Sequence, residues 1–343
     1  MLSKSDLLVW PDDNILTHVI LSVKDPMILF FYGEDTYRLN QKLRELKEKF
    51  ISASLGDTNL SMVDGETATF DEIVRQILAM PFLSKKRLVI IKNLLSGAKK
   101  EVLEKMNEFL AKVPEATVFV LAEEGVPDRR TTLFKKLNQP KLAQEFNLLD
   151  EERLRRWVKL EIEKTGAAIE PAALSKLIDY IGSDLWRMSN EIQKLSAYSK
   201  RLTIENIELL VQPQIQSNIF DLMDRIADRN LEKSMKELYQ LFDNGKPEHY
   251  ILSMIVLEYR NLLIAKDFNQ RAGNKLNKWT LAKKASMHPF VAQKTLTLAS
   301  KYSIEDLKKI YGVLLNFDSR IKTGKIEPKV ALELLIFKLT TQK

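Results

Sequence analysis

The chain of 343 residues contains no cysteine. This removes disulfides, thiolate metal ligands and a cysteine nucleophile together, and it fits a reducing compartment, with the cytoplasm as the expectation. Histidine is nearly as scarce. His18, His249 and His288 stand far apart in the sequence and share no ligand spacing, so neither a metal site nor a histidine-based triad has support, and each is read as structural or surface. No G-x-S-x-G elbow occurs. No apolar run approaches the roughly 20 residues that a membrane-spanning helix needs, and Pro11, Asp12 and Asp13 interrupt the opening segment before a secretory apolar stretch could form. Internal repeats and low-complexity tracts are also missing.

What is present is an ordinary folded composition, 45% hydrophobic and 29% charged. The length exceeds what one growing core supports, so two or three domains are expected. The formal charge of +7 suits a nucleic-acid partner, but an excess this mild is weak support alone.

The N-terminal half alternates strand and helix signals. Met27–Tyr32 is an apolar run ending at Gly33, the pattern of a buried parallel strand before a turn. Leu39, Leu43, Leu46 and Phe50 then recur at helical spacing between charges. A helix at Phe70–Leu78, a strand at Arg87–Ile91, a helix at Glu101–Val113 and a strand at Thr117–Ala122 follow, which argues for an α/β domain with a parallel sheet ending near Leu148. Beyond Asp150 the periodicity is helical almost continuously. Glu151–Lys164, Pro171–Ile181 and Asp184–Tyr198 make a small bundle; after a break at Gln212-Pro213, Ile219–Phe242, Tyr250–Phe268, Trp279–Ala285, Phe290–Lys301, Ile304–Phe317 and Pro328–Leu339 suffice for a separate all-α domain.

The turn after the first strand is where a phosphate-binding loop would lie. Such a loop needs glycines that free backbone amides to cradle phosphate, a lysine for the terminal phosphates and a Ser/Thr for magnesium. Here it reads Gly33-Glu34-Asp35-Thr36-Tyr37-Arg38: two carboxylates stand where phosphate would sit, and no second glycine or lysine follows. Gly245-Lys246 and Gly324-Lys325 lack the upstream glycine and the hydroxyl residue, and read as helix punctuation. Glu123-Glu124 after the Thr117–Ala122 strand imitates the strand-end carboxylates that hold magnesium in ATPases, but with no phosphate cradle to serve it reads as a solvated loop. No catalytic residue, metal or cofactor is therefore assigned.

Trp157 and Trp186 fall on apolar helical positions and are expected in the core, while Trp10 and Trp279 stay undecided between packing and base stacking. Lys85-Lys86-Arg87, Arg129-Arg130 and Lys283-Lys284 could touch DNA phosphate, although solvated faces are the commoner role for such pairs. Arg129 and Arg130 are preferred, weakly, because they follow the carboxyl end of a parallel strand.

Four segments carry a family resemblance that runs from Met27 to the C-terminus. Leu29-Phe30-Phe31-Tyr32-Gly33-Glu34-Asp35 resembles the degenerate phosphate-loop remnant of the delta subunit of the bacterial DNA polymerase III clamp loader. Met80-Pro81-Phe82-Leu83-Ser84-Lys85-Lys86-Arg87-Leu88-Val89 is similar to that family's proline, two bulky apolar residues, serine and arginine ahead of a strand. Gly182-Ser183-Asp184-Leu185 with Asn190-Glu191-Ile192-Gln193-Lys194-Leu195 resembles its lid pattern, and His288-Pro289-Phe290 with Asp318 to Gly324 its collar pattern.

The resemblance implies three domains after an N-terminal extension at residues 1–26: a nucleotide-incompetent AAA+-like α/β domain at 27–148, a helical lid at 149–212 and a helical collar at 213–343. It implies a subunit without ATPase activity that binds and opens the beta sliding clamp for loading onto primed-template DNA, alongside ATP-hydrolysing gamma/tau and delta-prime-type subunits. Phe82 and Leu83, flanked by Met80 and Pro81, would enter a clamp pocket near the ring's dimer interface. Two large apolar side chains beside Pro81 at a helix end are also poorly placed for internal burial, and an aromatic anchor suits a pocket.

Two rivals stand beside this reading, an active AAA+ ATPase and a free-standing DNA-binding regulator. The missing G-K-[ST] opposes the first, and the lack of a clear recognition helix rich in Arg, Asn or Gln opposes the second. Residues 1–26 match nothing nameable; a misassigned start, an added helix and a lineage-specific extension all fit. Because the first strand begins at Met27, a chain shortened to that residue is expected to keep a cooperative thermal transition by circular dichroism, and loss of that transition would show that the extension belongs to the fold.

Overall fold

The computed structural model describes residues 27–54, 56–139, 143–213, 215–273 and 276–341. The chain divides after Leu148 into two compact units. Residues 1–26, with Trp10 and His18, lie outside the described residues.

In the first unit, β1 (Met27–Gly33) leads into α1 (Thr36–Ala53), whose buried residues are Leu39, Leu43, Leu46 and Phe50. Asp35 starts this helix by accepting the Arg38 N–H at its side chain, satisfying one of the unpaired first-turn donors. After β2 (Leu60–Asp64), α2 (Phe70–Leu78) opens with a capping box in which Thr69 and Glu72 bond each other's backbone N–H groups. Next come β3 (Arg87–Lys92), the single turn α3 (Leu94–Gly97), α4 (Lys100–Phe109), β4 (Thr117–Glu124), α5 (Thr132–Leu137) and the short β5 (Ala143–Glu145).

The strands form one parallel sheet in the order β2-β3-β4-β1-β5. Successive side chains on a strand point to opposite faces, so the apolar runs feed two cores. Phe30, Tyr32, Val89, Ile91, Phe119 and Leu121 pack with Ile73, Ile77, Met106 and Phe134. Leu29, Phe31, Leu88, Ile90, Val118 and Val120 pack with the buried stripe of α1 and with Phe146. A strand apolar on both faces must be covered on both, and helices do so here.

Among its described residues the second unit is helical but for the two-residue strands β6 (Ala168–Ile169) and β7 (Arg201–Leu202), which pair in parallel. Its helices are α6 (Glu151–Lys164), α7 (Pro171–Ile181), α8 (Leu185–Tyr198), α9 (Ile204–Leu210), α10 (Ile215–Ala227), α11 (Leu231–Asp243), α12 (Glu248–Arg271), α13 (Lys278–Ala285), α14 (Pro289–Ala299), α15 (Ile304–Lys322) and α16 (Pro328–Thr341). A core runs from Ile219 to Leu339 and centres on Ile255, Tyr259, Leu262, Leu335 and Ile336.

The expected fold class, α/β followed by all-α, is the one observed. Three expectations need correction. The continuous helix over Ile219–Phe242 is two helices, because Arg229 adopts left-handed backbone (φ 55°) and Asn230 caps α11 by accepting the Lys233 N–H. Among the described residues the sheet has five strands rather than three; β2 mixes half-buried and exposed positions at one edge and β5 is three residues long, so neither gives a continuous apolar run. Trp186 is 47% exposed rather than in the core, and Trp157 is half-buried.

Candidate functional site

Because the strands are parallel, the sheet has two unlike ends, and each holds one group of candidates. At the carboxyl end, Gly33 leaves β1 with φ 142° and makes reciprocal backbone hydrogen bonds with Gly125, both 2.9 Å. The turn is closed by the segment after β5. Phe146 donates its N–H to Tyr32 O at 2.7 Å and accepts the Asp35 N–H at 3.0 Å; Arg38 reaches Asn147 O. A Cβ at Gly33 would lie 2.2 Å from Phe146 O, so glycine is required by this close approach as well as by φ.

A phosphate cradle needs free amides aimed at the ligand. The Gly33, Asp35, Thr36 and Arg38 amides instead donate to Gly125 O, Phe146 O, Glu34 O and the Asp35 carboxylate. Asp35, 3% exposed, also accepts Arg38 Nε at 2.6 Å, so one of the two carboxylates in the turn is a helix cap; Glu34 is exposed.

The acidic pair after β4 differs from its expected role. Glu123 is buried, not in a solvated loop. It accepts Leu95 N–H at 2.7 Å, Ser96 N–H at 3.2 Å and Ser96 Oγ–H at 2.6 Å, so it caps α3. Desolvation raises its pKa and these hydrogen bonds oppose the shift. Glu124 accepts Asn40 Nδ2 at 2.9 Å and Lys92 Nζ at 3.4 Å. Arg129 and Arg130 lie at this same end, exposed but paired: Arg129 with Glu145 at 2.6 Å, Arg130 with Asp128 at 2.8 Å. The Arg130 guanidinium pulls the Asp128 carboxyl down to about 2. Burial, then the Glu145 carboxylate, push the nearby Tyr32 phenol up to about 12.

At the amino end lies the loop between α2 and β3, residues 79–86. Met80, Phe82 and Leu83 are 87%, 62% and 74% exposed, and Pro81 is half-buried. Leu78, in the last turn of α2, is exposed as well and widens the apolar surface, which a reading restricted to the loop missed. Both flanks are fixed. Ile77 O accepts Thr117 Oγ1–H at 2.9 Å. Buried Lys86 donates to Glu115 O, and Arg87 donates to Ser61 Oγ and Gln76 Oε1. Of the basic run 85–87, only Lys85 is exposed. Lys284 of the other basic pair lies over the Phe268 ring at 4.9 Å.

Of the histidines, His288 Nδ1 accepts the Phe290 N–H at 3.1 Å and caps α14, while His249 is exposed. Among the described residues no cluster of three or more metal-ligating side chains occurs, and no helix is long and apolar enough to cross a membrane.

The whole chain is similar in fold to the Bacillus subtilis DNA clamp loader delta protein, with a TM-score of 0.73 at 24% identity over 96% of this chain and 99% of that one. The parallel-sheet unit followed by a helical unit is the fold the two chains share. Residues 29–147 match the model of the DNA polymerase III delta subunit, and residues 216–339 that of its C-terminal domain. The chain is 27% identical to DNA polymerase III subunit delta of Bacillus subtilis, over 90% of its own length and 91% of the relative's. To a probable subunit delta of Aquifex aeolicus it is 23% identical over 85% of each. The chain belongs to the DNA polymerase III delta subunit family, the clamp-loader delta subunits of DNA replication.

The close approach at Gly33 gives a direct test of the sealed turn. Gly33→Ala combines backbone strain of about 1–2 kcal/mol with overpacking of about 1–3 kcal/mol, so urea unfolding followed by circular dichroism should show a loss of about 2–5 kcal/mol. A midpoint equal to wild type would mean that Phe146 does not cover the turn.

Proposed function

We propose that this subunit binds a beta-type sliding clamp through Met80, Pro81, Phe82 and Leu83, favours the open ring, and does so without binding or hydrolysing nucleotide itself. The observation that carries the reading is the exposure of Phe82 and Leu83 on a loop whose flanks are tied to the sheet and to α2. Apolar side chains of this size cost free energy in water, and contiguous ones mark a surface that a partner covers. The resemblance of residues 80–89 to the family's clamp-binding segment supplies the partner.

The sealed turn at Gly33 supports the absence of nucleotide chemistry, since the Gly33, Asp35, Thr36 and Arg38 amides are already spent within the chain. The division of labour follows: residues 27–148 contact the clamp, 149–212 form a lid, and 213–343 form a collar that assembles with gamma/tau and delta-prime-type subunits around primed-template DNA in the cytoplasm. A core confined to residues from Ile219 onward supports the collar boundary. Arg129 and Arg130 are weaker candidates for DNA contact, because each would first give up an ion pair.

Two measurements test this. Isothermal calorimetry with ATP and magnesium should give no saturable heat at micromolar concentrations, and binding there would contradict the sealed turn. Phe82→Ala combined with Leu83→Ala should weaken binding to an immobilised cognate clamp while leaving the thermal melt unchanged. Full burial of each side chain is worth about 1.5–3 kcal/mol; discounted for the part already covered, the pair supplies roughly 2–4 kcal/mol, or about one and a half to three orders of magnitude in affinity. A matched melt with less than about a tenfold loss would remove these residues from the site.

A further inference from the structure

Asn59 immediately precedes β2 and is fully buried. Its side chain hydrogen-bonds to main-chain atoms. Asn59 Oδ1 accepts the Phe82 N–H at 2.7 Å, and Asn59 Nδ2 donates to Phe82 O at 2.8 Å. One carboxamide thus satisfies both main-chain groups of Phe82, as a neighbouring strand would. The same residue is fixed to the sheet, because its own carbonyl accepts the Leu88 N–H at 2.9 Å at the start of β3. The next residue along the loop, Leu83, takes left-handed backbone with φ 46°, which a leucine adopts only where its surroundings impose it.

Without such a hold, Phe82 and Leu83 would gain by folding down out of water onto neighbouring protein surface. We infer that Asn59 is the positioning residue of this loop, holding the Phe82 main chain so that Phe82 and Leu83 stand out in water in the orientation in which the clamp takes them. The inference rests on the reading of those two side chains as clamp anchors. Asn59 touches no partner itself; it removes the ordering cost that a loose loop would meet on binding.

The test uses the full chain, surface plasmon resonance on an immobilised cognate clamp, and hydrogen exchange of the loop amides. Asn59→Ala should bind about tenfold or more weakly, through lost hydrogen bonding and preorganisation, and the Phe82 amide should exchange faster although the rest of the protein stays protected. Asn59→Asp keeps the size but turns a carboxylate oxygen toward the Phe82 carbonyl, so it too should bind weakly near pH 8. Protonation restores one donor and one acceptor, and burial raises the carboxyl pKa. Binding by Asn59→Asp should therefore recover as pH falls to about 5.5, while wild type changes little over the same range. A residue that only supports the fold would recover its thermal melt together with its binding, so melts of Asn59→Asp are taken at both pH values. Recovery of binding with a melt that already matches wild type near pH 8 marks positioning; loss and recovery that follow the melt would overturn it. Wild-type affinity for both variants at every pH overturns the positioning role. Failure of the wild-type chain to bind the clamp overturns the anchor reading instead, and the two outcomes are distinct.

Discussion

A sheet whose strands all run the same way has one end made of turns that leave strands and another made of loops that enter them. α/β domains place ligands at the leaving end, and in this chain the turn after β1 at that end is filled with the chain's own groups. Phe146 backbone lies over Gly33, Asp35 caps α1, and Glu123 caps α3. The entering end carries the exposed apolar loop. With six residues in β3 at about 3.3 Å each, the two ends are separated by roughly 20 Å. The sealed turn and the exposed loop are therefore independent features of one scaffold, and a phosphate-sized ligand at one could not touch the other.

The entering end also explains how two large apolar residues can remain exposed without the loop collapsing. The sheet register and the helix contacts fix the loop on both sides: Thr117 holds the last turn of α2, and Lys86 and Arg87 turn inward to bond Glu115, Ser61 and Gln76. With both ends tied and Phe82 held in the middle by Asn59, little slack remains for Leu83 to bury itself, and its left-handed backbone is the visible result.

Much of this was legible in the residues. Met27–Gly33 and Thr117–Ala122 are apolar runs whose only stable use is a sheet covered on both faces, and the spacing of Leu39, Leu43, Leu46 and Phe50 gave the covering helix. Phe82 and Leu83 were legible as a pair with no obvious inward face. What pattern could not supply were pairings across sequence. Asn59 lies 23 residues from Phe82 and reads in isolation as a turn residue before a strand. Glu123 follows a buried strand, where a charge is usually solvated, and only the folded α3 turn provides the N–H groups that make its burial tolerable. Trp186 fits an apolar helical position yet faces solvent, because periodicity says which residues share a face and not what that face packs against.

Holding the loop through main-chain atoms separates its shape from its surface. The two hydrogen bonds to Phe82 use groups that every residue except proline carries, so conformation at this position does not depend on which side chain stands there. On the proposed reading, the side chain of residue 82 is thereby left to be set by a partner's pocket, and that of residue 83 by the pocket together with its left-handed backbone. Asn59, Ser61 and Arg87 in turn are set by the loop and the sheet rather than by anything outside the chain. A binding surface built this way can change what it fits by substitution at two exposed positions while the buried amide that orients it stays in place.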